Sequence, residues 1–150
     1  PPEAGTEGKE GGSYGWPECF VASKKVVTHD RGAGDHCPKV TLPSVEVQAH
    51  SAPLGMAFYT GQQFPAEYRG SLFVAYHGSW NRSVPTGYKV VRIPFANGQP
   101  SGPVTVFGTG WLAGNRQVDG RPVDVLVGRD GALYVSDDHT GAVYRVTYRP

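Results

Sequence analysis

The chain has 150 residues, and Gly 21 with Pro 13 make those two residues about twice as frequent as in an average protein. Gly and Pro are the poorest residues inside a helix, so this content excludes a helical bundle or coiled coil, while 39% hydrophobic residues with Tyr 8, Phe 6 and Trp 3 exclude a disordered chain. Lys+Arg 14 against Asp+Glu 13 leaves a net charge of +1, which gives no electrostatic case for nucleic acid.

Residues 1–15 are rich in Gly, Glu and Ser with almost no apolar side chains, and read as a flexible segment. The start, Pro1-Pro2-Glu3, has no Met and no signal peptide, so any targeting segment lies outside this sequence. No run approaches the 18 or so apolar residues that a membrane span needs. Residues 16–48 form an irregular region punctuated by Pro17, Pro38 and Pro43, with one short strand predicted at Lys25-Val26-Val27-Thr28. The region holds both cysteines, Cys19 and Cys37. A metal site would need a CxxC pair or histidines at regular spacing, and His29, Asp30, Asp35 and His36 near Cys37 offer none. The pair reads better as a disulfide closing a loop, worth about 3 kcal/mol, and would imply an oxidising compartment.

From Ala49 onward the pattern changes to short β-branched runs bounded by Gly and Pro, and it repeats. Pro53-Leu54-Gly55-Met56-Ala57-Phe58-Tyr59 answers to Pro122-Val123-Asp124-Val125-Leu126-Val127-Gly128, and Gly70-Ser71-Leu72-Phe73-Val74-Ala75 to Gly131-Ala132-Leu133-Tyr134-Val135-Ser136. Gly87-Tyr88-Lys89-Val90-Val91-Arg92-Ile93 answers to Gly141-Ala142-Val143-Tyr144-Arg145-Val146-Thr147. Each copy is a three-strand meander, and Pro103-Val104-Thr105-Val106-Phe107 adds a fourth strand to the first. Met56 and the Phe and Tyr residues at alternating strand positions read as core. Repeated four-stranded antiparallel units indicate an all-β fold and a β-propeller, with residues 49–111 as the penultimate blade and 112–150 as an incomplete last blade. Two blades leave faces and edges uncovered, so the chain reads as the C-terminal part of a larger propeller, or as one that associates with another chain.

His50-Ser51-Ala52-Pro53-Leu54-Gly55-Met56-Ala57-Phe58-Tyr59-Thr60-Gly61, then Phe64-Pro65, Tyr68-Arg69-Gly70 and Leu72-Phe73-Val74-Ala75-Tyr76-His77-Gly78-Ser79-Trp80-Asn81-Arg82, resemble the glucose/sorbosone dehydrogenase family, in particular its L-sorbosone dehydrogenase-like branch. Gly120-Arg121-Pro122-Val123-Asp124-Val125 and Asp130-Gly131-Ala132-Leu133-Tyr134-Val135-Ser136-Asp137-Asp138 continue the likeness, which covers about residues 14–148 and is specific from 49 on. The resemblance implies a soluble, periplasmic or extracellular six-bladed propeller that uses pyrroloquinoline quinone (PQQ) and Ca²⁺ to oxidise a sugar and passes the electrons to an external acceptor.

A planar ortho-quinone with three carboxylates needs cations and donors around a flat slot. By resemblance, His50 before the Ala-Pro of the inner strand and Arg121 before the matching Val-Asp-Val strand bind the cofactor. His77 or Arg82 takes the role of a basic residue that follows the second strand. Two family cations are missing, since Gly78 stands where a lysine is expected and Val123 where a second arginine is expected. The family's base histidine and its calcium ligands belong to earlier blades, so the 150 residues alone are expected to be inactive.

Each of these residues also has a plainer reading. Arg121 is a salt bridge or a carbonyl clamp between blades, His50 a polar loop residue, His77 a satisfied histidine at a strand end, and Arg82 a stack on an aromatic face. Asp137-Asp138 offer oxygens to Ca²⁺, as a calcium-dependent sugar-lactone hydrolase would need, or bond the N–H groups of the next turn. A non-catalytic propeller that binds carbohydrate or protein is the other alternative.

Overall fold

The computed structural model describes residues 1–29, 37–114 and 116–150. Its regular structure is β1 (Glu3–Gly5), β2 (Cys19–Ala22), β3 (Lys25–Thr28), β4 (Val45–Val47), β5 (Pro53–Phe58), β6 (Leu72–Tyr76), β7 (Lys89–Ile93), β8 (Phe95–Ala96), β9 (Gln99–Pro100), β10 (Thr105–Gly108), β11 (Pro122–Val127), β12 (Leu133–Asp137) and β13 (Ala142–Val146), with short 3₁₀ turns at Cys37–Lys39 and Ala66–Tyr68. Among the described residues there is no α-helix, and no helix long and apolar enough to cross a membrane. The fold is all-β, as the Gly and Pro content requires.

The chain divides into two compact units, Pro1–Ala49 and His50–Pro150. In the first, β2 and β3 form a hairpin, and Cys19 is joined to Cys37 by a disulfide. The segment read as flexible carries β1, which pairs antiparallel with β4 through Glu3↔Val47 and Gly5↔Val45. Backbone pairing of this kind needs no apolar side chains, which is why composition alone did not reveal it. Asp30, Asp35 and His36 lie outside the described residues.

The second unit contains two larger antiparallel sheets, one in the order β10-β7-β6-β5 and one in the order β11-β12-β13, and the small β8-β9 hairpin. The two larger sheets are consecutive propeller blades, each running from an inner strand, β5 or β11, outward. Side chains alternate across each sheet, so one face of the first meets the second. Tyr59, Phe64, Phe73, Ala75, Val90, Val125, Leu133 and Val135 form this shared core. Phe73 sits at its centre with Phe107 4.7 Å and Tyr59 6.0 Å away between ring centroids.

Met56 and Phe58 do not belong to that core and are about half exposed. In β5 they alternate with Gly55 and Ala57, so they lie on the face turned away from the second sheet. The period of two holds along β5, but it does not say which of the two faces is covered.

Tyr59 ties the two blades together. Its hydroxyl donates to the Gly131 carbonyl at 2.7 Å and accepts the Phe64 N–H at 2.9 Å, with the residue fully buried. Tyr59→Phe leaves both backbone groups buried and unpaired, and the expected cost is about 1–3 kcal/mol, readable as a lower urea midpoint at unchanged m-value.

Candidate functional site

Strand register places one set of loops at one end of both blades. Pro53 pairs with Tyr76 and Tyr76 with Lys89, while Pro122 pairs with Asp137 and Asp137 with Ala142. The entry to each inner strand and the loop after each second strand therefore share an end. Residues 50–52, 77–88, 119–121 and 138–141 meet there, and with them His50, His77, Arg82 and Arg121.

The loop 77–88 is closed at its neck. Ser79 N donates to Thr86 O at 2.9 Å, and Thr86 N to Ser79 Oγ at 3.1 Å. His77 N and Gly78 N donate to Ala52 O and Ser51 O at 2.9 and 3.1 Å, tying the loop to the entry of β5. Backbones pass so closely here that only glycine fits. Gly78 has φ +98, and a Cβ there would lie 2.6 Å from three atoms of the Tyr88 ring. Gly87 has φ +89, and its Cβ would lie 2.6 Å from Gly78 Cα. His50 and Ala52 hold φ of +67 and +50, conformations that residues with a Cβ adopt at a cost.

Arg121 reaches across from the second blade. Its Nη1 donates to His77 O at 3.4 Å and Gly78 O at 3.0 Å, and its Nη2 to Ser79 O at 3.3 Å and Tyr88 Oη at 3.2 Å. The guanidinium also lies over the Tyr88 ring, 4.9 Å from its centroid, while the Tyr88 hydroxyl donates to Ser79 O. Arg121 is thus a carbonyl clamp between blades, half-buried, with its positive charge on four neutral oxygens.

His77 makes a second bridge to the second sheet. Its Nε2 lies 3.0 and 3.2 Å from the two oxygens of Asp138. A carboxylate only accepts, so Nε2 carries the hydrogen. His50 is exposed and Arg82 half-buried, each at the rim of the same group of loops. Beneath them Ser51, 1% exposed, buries a hydroxyl that has no hydrogen-bond partner among the described residues. Ser51 and Tyr88 were not singled out by sequence reading; their neighbours in the His50-Ser51-Ala52 and Gly87-Tyr88 runs were the available signal.

Asp137 and Asp138 are spent within the protein. Asp137 is buried, and its Oδ1 accepts the backbone N–H groups of Arg121, His139 and Thr140, each at 3.0 Å, while Oδ2 accepts the Tyr144 hydroxyl at 3.1 Å. It is a turn carboxylate that orients Arg121. Among the described residues no group of three or more His, Cys, Asp or Glu side chains is arranged to hold a metal ion.

Burial pushes the Asp137 carboxyl up, but the N–H groups of Arg121 and Thr140 and the Tyr144 hydroxyl outweigh it and hold it below the usual 3.8. Asp130 is held low as well, first by the Arg145 guanidinium bonded to it and then by the Ala132 N–H. A folded-state value below the unfolded one means that the unfolded chain takes up protons first as pH falls. The contribution is present above about pH 4 and is lost below it. Asp137→Asn should cost about 1–3 kcal/mol at pH 7 and flatten the acid limb of stability against pH, as measured by denaturant titration between pH 7 and 3.

A cavity of about 500 Å³ lies elsewhere in this unit, lined by Tyr68, Phe107, Trp111, Tyr144 and Tyr148 among others, and none of the four candidate residues lines it.

The TrAA12-like family model matches residues 2–149, nearly the whole chain. The chain belongs to the TrAA12-like family. This TrAA12-like chain is 40% identical over 147 residues to an uncharacterized protein of Borreliella burgdorferi, covering 95% of the chain and 37% of that protein. It is 39% identical over 120 residues to a pyrroloquinoline quinone-dependent pyranose dehydrogenase of Coprinopsis cinerea, covering 68% of the chain and 16% of that enzyme. The holo pyranose dehydrogenase PQQ domain of Coprinopsis cinerea matches in structure with TM-score 0.72 and 27% identity, over 89% of this chain and 40% of that one. The chain is related to PQQ-dependent sugar dehydrogenases, and it spans well under half the length of these relatives.

Proposed function

We propose that this chain supplies the last two blades of a soluble PQQ-dependent sugar dehydrogenase, which oxidises a sugar hydroxyl or a hydrated aldehyde. When bound, PQQ supplies the two-electron acceptor for the hydride. The observation that carries the reading is Arg121, whose half-buried guanidinium rests on four neutral oxygens, with no carboxylate oxygen among the described residues bonded to it. A cation solvated in this way keeps its attraction for an anion, and the residues gathered here fit a tricarboxylate. Arg121 and Arg82 provide the fixed charge, His50 and His77 add imidazole donors or acceptors at the rim, and the clamp holds the loop 77–88 in place. Ca²⁺ and the base that removes the sugar proton are assigned to blades outside these residues. The Cys19–Cys37 disulfide supports a periplasmic or extracellular location.

The test is turnover. The intact enzyme containing this chain, loaded with PQQ and Ca²⁺, should reduce an artificial electron acceptor when given an aldose or sorbosone. One observation favours a second reading, a non-catalytic propeller of the same fold: all four terminal N–H groups of Arg121 are already donated to protein oxygens. Under that reading no acceptor is reduced with any sugar.

A further inference from the structure

Trp80 is 85% exposed, against 9% for Trp111. A tryptophan left in water forgoes a large hydrophobic gain, and its broad flat face regains it when a ligand stacks on it. Among the described residues its ring stacks on no other ring and its indole N–H donates to no acceptor. The residue before it, Ser79, is held on every side. Its N–H is on Thr86 O, its Oγ accepts the Thr86 N–H, and its carbonyl accepts both Arg121 Nη2 and the Tyr88 hydroxyl. Asn81, exposed, and Arg82, half-buried, follow directly.

We propose that Trp80 is the stacking platform for the pyranose ring of the sugar, with the Asn81 amide bonding its hydroxyls. A pyranose has an apolar face of C–H groups and a rim of hydroxyls. An uncovered indole with an exposed amide beside it matches both. The pinned loop base removes much of the ordering cost of binding, so an aromatic surface with few rotamers contributes affinity directly. The inference rests on the dehydrogenase reading and names the residue that would set its preference for a six-membered ring.

The experiment has two arms. In the first, glucose is titrated into the intact protein while the Trp80 indole N–H resonance is followed, assigned by its loss in W80F; the signal should shift and saturate. In the second, W80A in the PQQ-loaded enzyme should raise KM for glucose about tenfold with kcat changed less than about twofold, the pattern of lost uniform binding. W80F should recover most of the KM, and PQQ affinity should be unchanged. An indole signal unmoved by saturating glucose overturns the proposal. So does a W80A enzyme with unaltered KM, or one whose loss lies in PQQ affinity, which would put the indole on the cofactor. Wild-type protein that binds no PQQ defeats the dehydrogenase reading, and the glucose titration then still decides Trp80.

Discussion

Gly78→Lys is expected to damage the protein instead of supplying the cofactor cation that the family resemblance leads one to expect at this position. At φ +98 any residue with a Cβ is strained, and that Cβ would lie 2.6 Å from Cγ, Cδ1 and Cδ2 of Tyr88. The ring cannot retreat, because its hydroxyl is bonded to Ser79 O and Arg121 lies over its face. Left-handed strain of roughly 1–2 kcal/mol and overpacking of roughly 1–3 kcal/mol together predict a loss of about 3 kcal/mol or more in unfolding free energy, measured by urea titration. Gly70→Ala serves as the control. Gly70 has φ +72 with nothing within 4 Å of an added Cβ, so it carries the backbone strain alone. Similar losses in both variants would mean that the Tyr88 contact contributes nothing.

Arg121→Ala is expected to act twice. It leaves the carbonyls of His77, Gly78 and Ser79 without their charged donor, and bonds to charged groups are worth about 1.5–3 kcal/mol each, though not additively. A total loss of about 3 kcal/mol follows, together with a fall in PQQ affinity of several fold or more. Arg121→Lys separates the two effects. An ammonium keeps the charge but cannot fork across three carbonyls and the Tyr88 hydroxyl. It should recover part of the PQQ affinity and little of the stability. Full recovery of both would show that charge alone matters and that the clamp does not.

Much of this was legible in the sequence. The two meanders repeat because each blade needs the same strand lengths and the same glycine turns, so Gly70 and Gly131, or Pro53 and Pro122, mark equivalent points. Loops that share an end of the sheets follow from that repeat, and the four residues that the resemblance grouped, His50, His77, Arg82 and Arg121, all lie on them. What Arg121 bonds to could not be read. Three of its four acceptors are carbonyls more than forty positions away, and carbonyls carry no residue signature. The same holds for Gly78 and Tyr88, whose contact depends on how the loop 77–88 closes on itself. Asp137 reads from sequence as a turn carboxylate, the commoner role at a strand end, with calcium as the alternative. Burial beside Tyr144 and three N–H groups decides for the turn, and burial is not local information. The face of β5 that carries Met56 and Phe58 shows the same limit, since alternation was visible but the covered side was not.

The central claim is that these loops form one wall of a quinone site. Its most direct test is an equilibrium titration of the intact protein with PQQ in the presence of Ca²⁺, followed by quinone absorbance and by thermal unfolding. A saturable spectral change with a raised unfolding temperature, both weakened several fold in Arg121→Ala, is the predicted result. No spectral change and no thermal protection at saturating PQQ would contradict it.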